Sequence, residues 1–124
     1  MTHEYLTPAQ FEEAVGEALE SLPKRFADMV QNVSVSVEEE PTEDDLADDH
    51  VDGDEEFELL GTYRGIPLTE RTHDVPLLPD EIVIFRGPIC RVAHSRAEVV
   101  REVRETVIHE LGHYFGLGDD EMPF

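Results

Sequence analysis

The chain has 124 residues, 40% of them hydrophobic, which fits one domain with a modest core. Thirty acidic residues against nine basic ones give a formal net charge of −21, which argues against nucleic acid and anionic membranes as partners. No apolar stretch approaches the roughly 18 residues of a membrane span, the N-terminus lacks the pattern of a signal peptide, and the single cysteine, Cys90, excludes an intrachain disulfide. Together these features predict a cytoplasmic protein.

The N-terminal region predicts two helices. Thr7 fits the N-cap of the first helix, Pro8 its first position, and Gln10 completes a capping box. Apolar residues then recur at helical spacing, namely Phe11, Ala14, Val15, Ala18, Leu19 and Leu22. Pro23 interrupts this pattern, and a second short helix is expected from Lys24 to Val30.

The next region predicts strands on either side of an acidic segment. Val33, Val35 and Val37 alternate with serines, which is typical of a half-buried strand. Residues 38–58, which we call the acidic segment, contain thirteen acidic residues and no Lys or Arg. Because such a segment cannot bury itself and its like charges repel, we expect a flexible acidic loop. A second strand is expected within residues 57–63.

The C-terminal third predicts a buried strand and a long helix. The continuous apolar run of residues 82–85 is typical of a strand that is buried on both faces. The pair Gly87-Pro88 predicts a bend, after which residues 89–92 are expected to form another strand. Ser95 and Glu98 then fit a capping box, and the helix that follows is expected to end at Gly116.

This last helix contains the motif His109-Glu110-Leu111-Gly112-His113. A separation of four residues places His109 and His113 one turn apart on the same face, so that both imidazoles can bind one ion. Glu110 lies beside them and can reach a water on the metal without binding the metal itself. The pattern therefore predicts a zinc ion, or a similar divalent metal, with Glu110 as its catalytic carboxylate.

The third ligand is predicted from the residues after the helix. Gly116 can adopt a positive φ and turn the chain back toward the metal, and Asp119 follows six residues after His113. Asp120 and Glu121 are adjacent carboxylates, but Asp119 has the interval from His113 that suits a third ligand. Three protein ligands with a fourth position open for water are typical of a catalytic zinc site.

The sequence resembles the minimal zincin family, small bacterial metallopeptidase-like proteins with an H-E-x-x-H-x-x-G-x-x-D signature. The likeness covers nearly the whole chain and includes residues 60–63, 65–71, 78–80 and 84–89. It implies a single α+β domain over residues 1–124, in which a small mixed β-sheet packs against helices and the zinc-binding helix is C-terminal. It also implies His109, His113 and Asp119 as zinc ligands and Glu110 as the catalytic glutamate.

The function expected from this resemblance is hydrolysis of peptide bonds through a zinc-bound water that Glu110 activates, on an unknown peptide or protein substrate. Tyr114, His94 and Arg86 are candidates for stabilising the oxyanion, and nothing in the sequence selects one of them. Only five residues follow Asp119, too few for the lower wall of a substrate cleft, so a second subunit or another partner could complete it. The alternative function is a non-catalytic interaction module that zinc stabilises and whose recognition element is the acidic segment.

Overall fold

The computed structural model describes residues 6–31, 33–48, 58–65 and 81–116 of the chain. The described part is a mixed α+β fold, as predicted. Its elements in chain order are α1 (Pro8–Glu20), α2 (Lys24–Val30), β1 (Ser34–Glu38), α3 (Glu43–Asp48), β2 (Gly61–Arg64), β3 (Glu81–Phe85), α4 (Arg86–Val92) and α5 (Arg96–Phe115). No helix among these has the length and apolar character that a membrane span requires.

The described strands form a small mixed sheet in the order β1-β3-β2. β1 runs parallel to β3, with Val35 opposite Ile82, and β2 runs antiparallel to β3, with Tyr63 also opposite Ile82. The central strand is covered on both faces, because residues 82–85 are all fully buried. This burial confirms the interpretation of the apolar run and leaves β2 at one edge of the described sheet.

Helix α5 connects the sheet to the other helices. Helix α5 packs against α1, α2 and α4 and also contacts β2 and β3. The core that they enclose joins apolar residues from both ends of the chain, including Phe11, Ala14 and Ala18 of α1, Ile82 and Ile84 of β3, and Val103, Val107 and Leu111 of α5. The C-terminal helix is therefore held by nonlocal contacts on most of its length.

The predicted helix starts are confirmed. The backbone N–H of Gln10 donates to Thr7 Oγ1 at 3.2 Å and the N–H of Thr7 donates to Gln10 Oε1 at 2.9 Å, which is the complete capping box. At α5 the N–H of Glu98 donates to Ser95 Oγ at 3.1 Å. The Glu98 carboxylate lies 3.4 Å from the Ser95 hydroxyl, so the side chains also meet at this cap.

The strand predicted for residues 89–92 is wrong, because these residues belong to helix α4. The helix begins at Arg86, directly after β3, and Pro88 is its third residue. A proline in the first turn costs no hydrogen bond, since the first N–H groups of a helix have no partner within it. Gly87-Pro88 therefore marks the start of a helix, and Ile89 and Cys90 point into the core.

The acidic segment contains a helix where the sequence predicts a flexible loop. Residues 43–48 form α3, while residues 49–57 lie outside the described residues. The backbone N–H groups of Thr42 and Asp45 each donate to the other residue's side chain, at 2.9 and 3.1 Å. Arg64 of β2 donates to both carboxylate oxygens of Asp45, at 3.1 and 2.8 Å, and to both of Glu38, at 2.7 and 3.0 Å. These bonds hold the pKa of both carboxyl groups below its usual range, and they stabilise a helix that is too short to form alone.

Two further arginines bind the ends of the acidic segment. Arg86 donates to Glu39 at 2.8 Å, and Arg91 donates to both carboxylate oxygens of Glu40, at 2.8 and 2.7 Å. Arg91 also donates to Glu58 at 2.6 Å, so that one guanidinium joins residues 40 and 58. The net charge of the segment is thus partly neutralised where it meets the folded core.

Candidate metal centre

The last turns of α5 carry the two histidines of the motif. The helix ends at Gly116, which has φ 68° and ψ 35° and lies in the left-handed region that glycine adopts most readily. Its N–H donates to the carbonyls of Gly112 and His113. The chain therefore leaves the helix directly after the motif, at the residue where the sequence predicts a turn.

The structure brings His109, Glu110 and His113 together. One potential ligand atom from each of the three lies within 4.8 Å of the others. The two imidazole centroids are 4.4 Å apart with an interplanar angle of 65°. Glu110 Oε2 lies 3.4 Å from Nδ1 of His113. The side chains of an H-E-x-x-H helix thus converge as its spacing predicts.

The burial of these three side chains differs in a way that suits a divalent metal site. His109 and His113 are exposed, while Glu110 is only 4% exposed. Two accessible imidazoles are the usual nitrogen donors for zinc, and a carboxylate beside them adds the negative charge that favours a cation. The donor set therefore fits zinc. Asp119 lies outside the described residues, so the third ligand stays a prediction.

Two neighbouring rows of side chains run along α5, and one of them faces the edge strand β2. Thr106, Glu110 and Tyr114 follow each other at intervals of four residues and form one row. A Cβ built on Gly61 of β2 would lie 2.5 Å from Thr106 Cγ2, and the ring of Tyr63 lies 5.2 Å from that of Tyr114. Glu110, in the middle of this row, is therefore buried at the side of α5 that faces β2.

The second row lies beside the first and is more accessible. It contains Glu105, His109 and His113, again at intervals of four residues. Both histidines are exposed and Glu105 is half-buried. The two imidazoles of the motif thus stand outside the contact between α5 and β2, while Glu110 stands inside it.

The candidates for the oxyanion group are separated by the fold. Arg86 donates to the backbone carbonyl of Leu6 at 2.6 Å and to Glu39 at 2.8 Å, which directs its guanidinium to the start of α1. His94 precedes α5, and His109 lies roughly 20 Å further along the helix axis. Tyr114 alone of the three is next to the motif, where it is buried between Tyr63 and Phe115.

The sequence pattern assigns no role to Gly61 or Tyr63, although both lie against α5 close to the motif. The available signal is a glycine inside a strand, which often marks a close approach of another backbone element. Here that element is the helix with the histidines. Gly61 in the strand predicted for residues 57–63 therefore indicates a point where another element packs closely on that strand.

Comparison with known proteins finds similarity over most of the chain. A family model described as zincin-like metallopeptidase matches residues 30–123. A conserved hypothetical protein from Thermus thermophilus has a similar solved structure, with a TM-score of 0.57 and 27% sequence identity over 87% of this chain and 92% of that one. No curated protein matches the chain.

Proposed function

The chain belongs to the zincin-like metallopeptidase family, and on this premise we propose that it is a zinc-dependent peptidase. His109, His113 and Asp119 hold the zinc, and Glu110 is the general base of peptide-bond hydrolysis. The observation that carries this proposal is the cluster of two exposed imidazoles and one buried carboxylate on consecutive turns of α5. A site that binds metal for stability alone has no need of a carboxylate in that position.

The reaction requires one group that activates water and one that moves protons. Zinc, when bound, acts as a Lewis acid that polarises a carbonyl and makes water a stronger acid. Glu110 accepts the proton of the attacking water and donates it to the leaving amine. Because its row of α5 faces β2, the position of this carboxylate is fixed by the sheet as well as by the helix.

Tyr114 supports the site from the same row of the helix. Its ring packs against Tyr63 at 5.2 Å and against Phe115 at 4.7 Å, with ring planes tilted by 52° and 82°. Tilted aromatic pairs of this kind contribute about 0.5–1.5 kcal/mol beyond their burial. We infer that Tyr114 positions the turn that carries His113 and Glu110, and that its hydroxyl is the candidate oxyanion donor that lies nearest to the motif.

We also propose that residues 1–124 act as one domain. Helices α1 and α2 near the start of the chain and α4 near its end all pack on α5. Such contacts between the two ends are expected of a single cooperative core. The same proposal includes a peptide or protein substrate, and a second subunit or other partner.

The alternative is a non-catalytic module that zinc stabilises. It is favoured by one observation, the bonds from Arg64 that order α3 within the acidic segment. An ordered acidic surface is what an interaction module would present to a partner. The same zinc site would then contribute folding free energy and no catalysis.

The two functions are separated by Glu110→Gln, which keeps the size of the side chain and removes its basicity. Wild type and variant are purified with one zinc each and incubated with an unbiased peptide library. We expect cleavage by the wild type and a loss of at least about 100-fold in the variant, the usual contribution of general acid–base catalysis. Zinc content is measured in parallel, so that a loss of metal is not mistaken for a loss of the base.

The matched control is Glu98→Gln, the same change on the same helix but at its first turn. Its cleavage is expected to stay within about twofold of the wild type, because its distance from the motif excludes a direct role. If neither the wild type nor either variant cleaves any peptide, the peptidase proposal is wrong and the module is favoured.

A further inference from the structure

The accessible row of α5 continues past the histidines toward the start of the helix. Glu105 lies four residues before His109, which places its Cβ about 5–6 Å from that of the histidine on the same face. A group bound at His109 and His113 therefore has a carboxylate one helical turn away. This position is outside the row that packs on β2, so Glu105 is half-buried and remains accessible.

Glu105 differs from the other acidic residues on its helix in its partners. Glu98 and Glu102 lie 3.7 and 3.5 Å from the guanidinium of Arg101. Among the described residues Glu105 makes no ion pair. Arg101, four residues before it, is directed to the other two carboxylates. Within the described part of the chain Glu105 therefore has no charged partner, although it lies one turn from His109.

Four arginines are engaged elsewhere, and Arg104, which directly precedes Glu105, forms no ion pair with it among the described residues. Arg64, Arg86 and Arg91 bind the acidic segment, and Arg96 donates to Glu17 of α1 at 2.6 Å. The whole chain carries 30 acidic residues against 9 basic ones. Its field attracts cations over distances of about one Debye length and accelerates the association of positively charged ligands.

From the position of Glu105 and the charge around it we infer that this site takes peptide segments with a lysine or arginine side chain, and that Glu105 receives that side chain. The inference rests on the proposed function, since it names the substrate class of the same site. The Glu105 carboxylate binds the cationic head group, while the segment on either side of it extends past His109 and His113. Glu105 is then a specificity-determining residue that takes no part in proton transfer.

The preference for a cationic side chain can be measured by peptide binding, which does not require cleavage. The zinc-loaded Glu110→Gln protein is titrated, by fluorescence anisotropy, into two labelled peptides that differ at one central residue, which is lysine or acetyl-lysine. Acetylation removes the charge and keeps the chain length. We expect the lysine peptide to bind about fivefold more tightly at low ionic strength, the upper range for one accessible ion pair. The ratio should fall as ionic strength rises from about 0.01 M to about 0.15 M.

Two further substitutions in the Glu110→Gln protein test whether Glu105 causes the preference for the lysine peptide. Glu105→Gln is expected to lower the ratio between the two peptides to below about twofold. Glu12→Gln removes the same charge from the solvent face of α1 and is expected to keep the full ratio. The difference between these variants separates a local contact from the general field of the protein.

The inference is overturned by equal binding of the two peptides, by no measurable binding of either, or by equal losses in Glu105→Gln and Glu12→Gln. Cleavage of the same peptides by the protein with Glu110 intact is measured separately. A lysine preference that depends on Glu105, found together with no cleavage, would contradict the peptidase proposal and support recognition of basic segments. The failures of the two proposals are thus distinguishable.

Discussion

Replacing Gly61 with alanine tests how α5 is placed on the sheet. The added Cβ would lie 2.5 Å from Thr106 Cγ2 and 2.9 Å from the carbonyl oxygen of Val83, where nonbonded carbon atoms prefer about 3.5–4.0 Å. The contact with Thr106 alone therefore requires a shift of about 1 Å. Because Val83 is in the central strand and cannot move freely, we expect α5 to move away from β2.

The expected cost in stability is about 1–3 kcal/mol, the usual range for an overpacked core. The expected effect on catalysis is larger than this cost implies, since a misplacement of about 1 Å can lower a rate about 100-fold. Zinc affinity should change little, because His109 and His113 lie on the same helix and move with it. Thermal unfolding, a zinc competition titration and kcat/KM on one cleaved peptide measure the three quantities.

The chain offers a matched control and a rescue. Gly16 of α1 has no heavy atom within 4 Å of the position of an added Cβ, so Gly16→Ala should stabilise the helix by about 1 kcal/mol and leave kcat/KM unchanged. Thr106→Ser deletes the Cγ2 atom and should restore part of the activity of Gly61→Ala, though not all, since Val83 is unaffected. Unchanged unfolding and unchanged kcat/KM in Gly61→Ala would refute the reasoning.

Three further changes test the clustered charges, the helix end and the third ligand. Arg64→Gln should destabilise the protein by about 1–3 kcal/mol near neutral pH, because the wild-type carboxylates of Asp45 and Glu38 lose their charged partner. Arg64 holds the pKa of both carboxyl groups below its usual range, so its contribution to stability is complete above about pH 4. This contribution is lost as the pH falls through the lowered pKa values of the folded state. The unfolding temperatures of wild type and variant should therefore converge in acid. Gly116→Ala should cost about 1–2 kcal/mol in thermal or urea unfolding, because the residue has φ 68°, and an unchanged midpoint would contradict a left-handed helix end. Asp119→Ala should lower zinc occupancy at least about tenfold in equilibrium dialysis, and undiminished occupancy would assign the third ligand elsewhere.

The helices that the sequence predicts are those whose signals are local. The capping box of Thr7 and Gln10 and the apolar spacing of α1 need no knowledge of the rest of the fold. The four-residue spacing of His109 and His113 is equally local, since both side chains follow from the geometry of one helix. The central strand was also predictable, because a run of four apolar residues can be stable only where both faces are covered.

The features that the sequence did not predict depend on distant partners. Helix α3 contains charges that repel one another, and it is stabilised by Arg64, which is nineteen residues beyond Asp45 in the chain. The pair Gly87-Pro88 predicts a bend with a strand at residues 89–92, whereas in the fold Pro88 lies in the first turn of α4. The close approach of Gly61 and Thr106 leaves no periodic signal in the sequence. It depends only on the missing side chain at position 61 of β2.

Under the proposed function, metal binding depends on α5 and on Asp119 after it, whereas catalysis also depends on the contact between α5 and β2. The two imidazoles are placed by α5 itself, so a change elsewhere in the sheet leaves their spacing intact. Glu110 lies in the row that contacts β2, so its position depends on Gly61 and Tyr63 as well. If the proposed function holds, a change at the sheet can abolish catalysis while zinc still binds, whereas loss of the two histidines abolishes both. Zinc binding alone thus cannot distinguish the peptidase from the module, and the contact between α5 and β2 is where the two functions diverge.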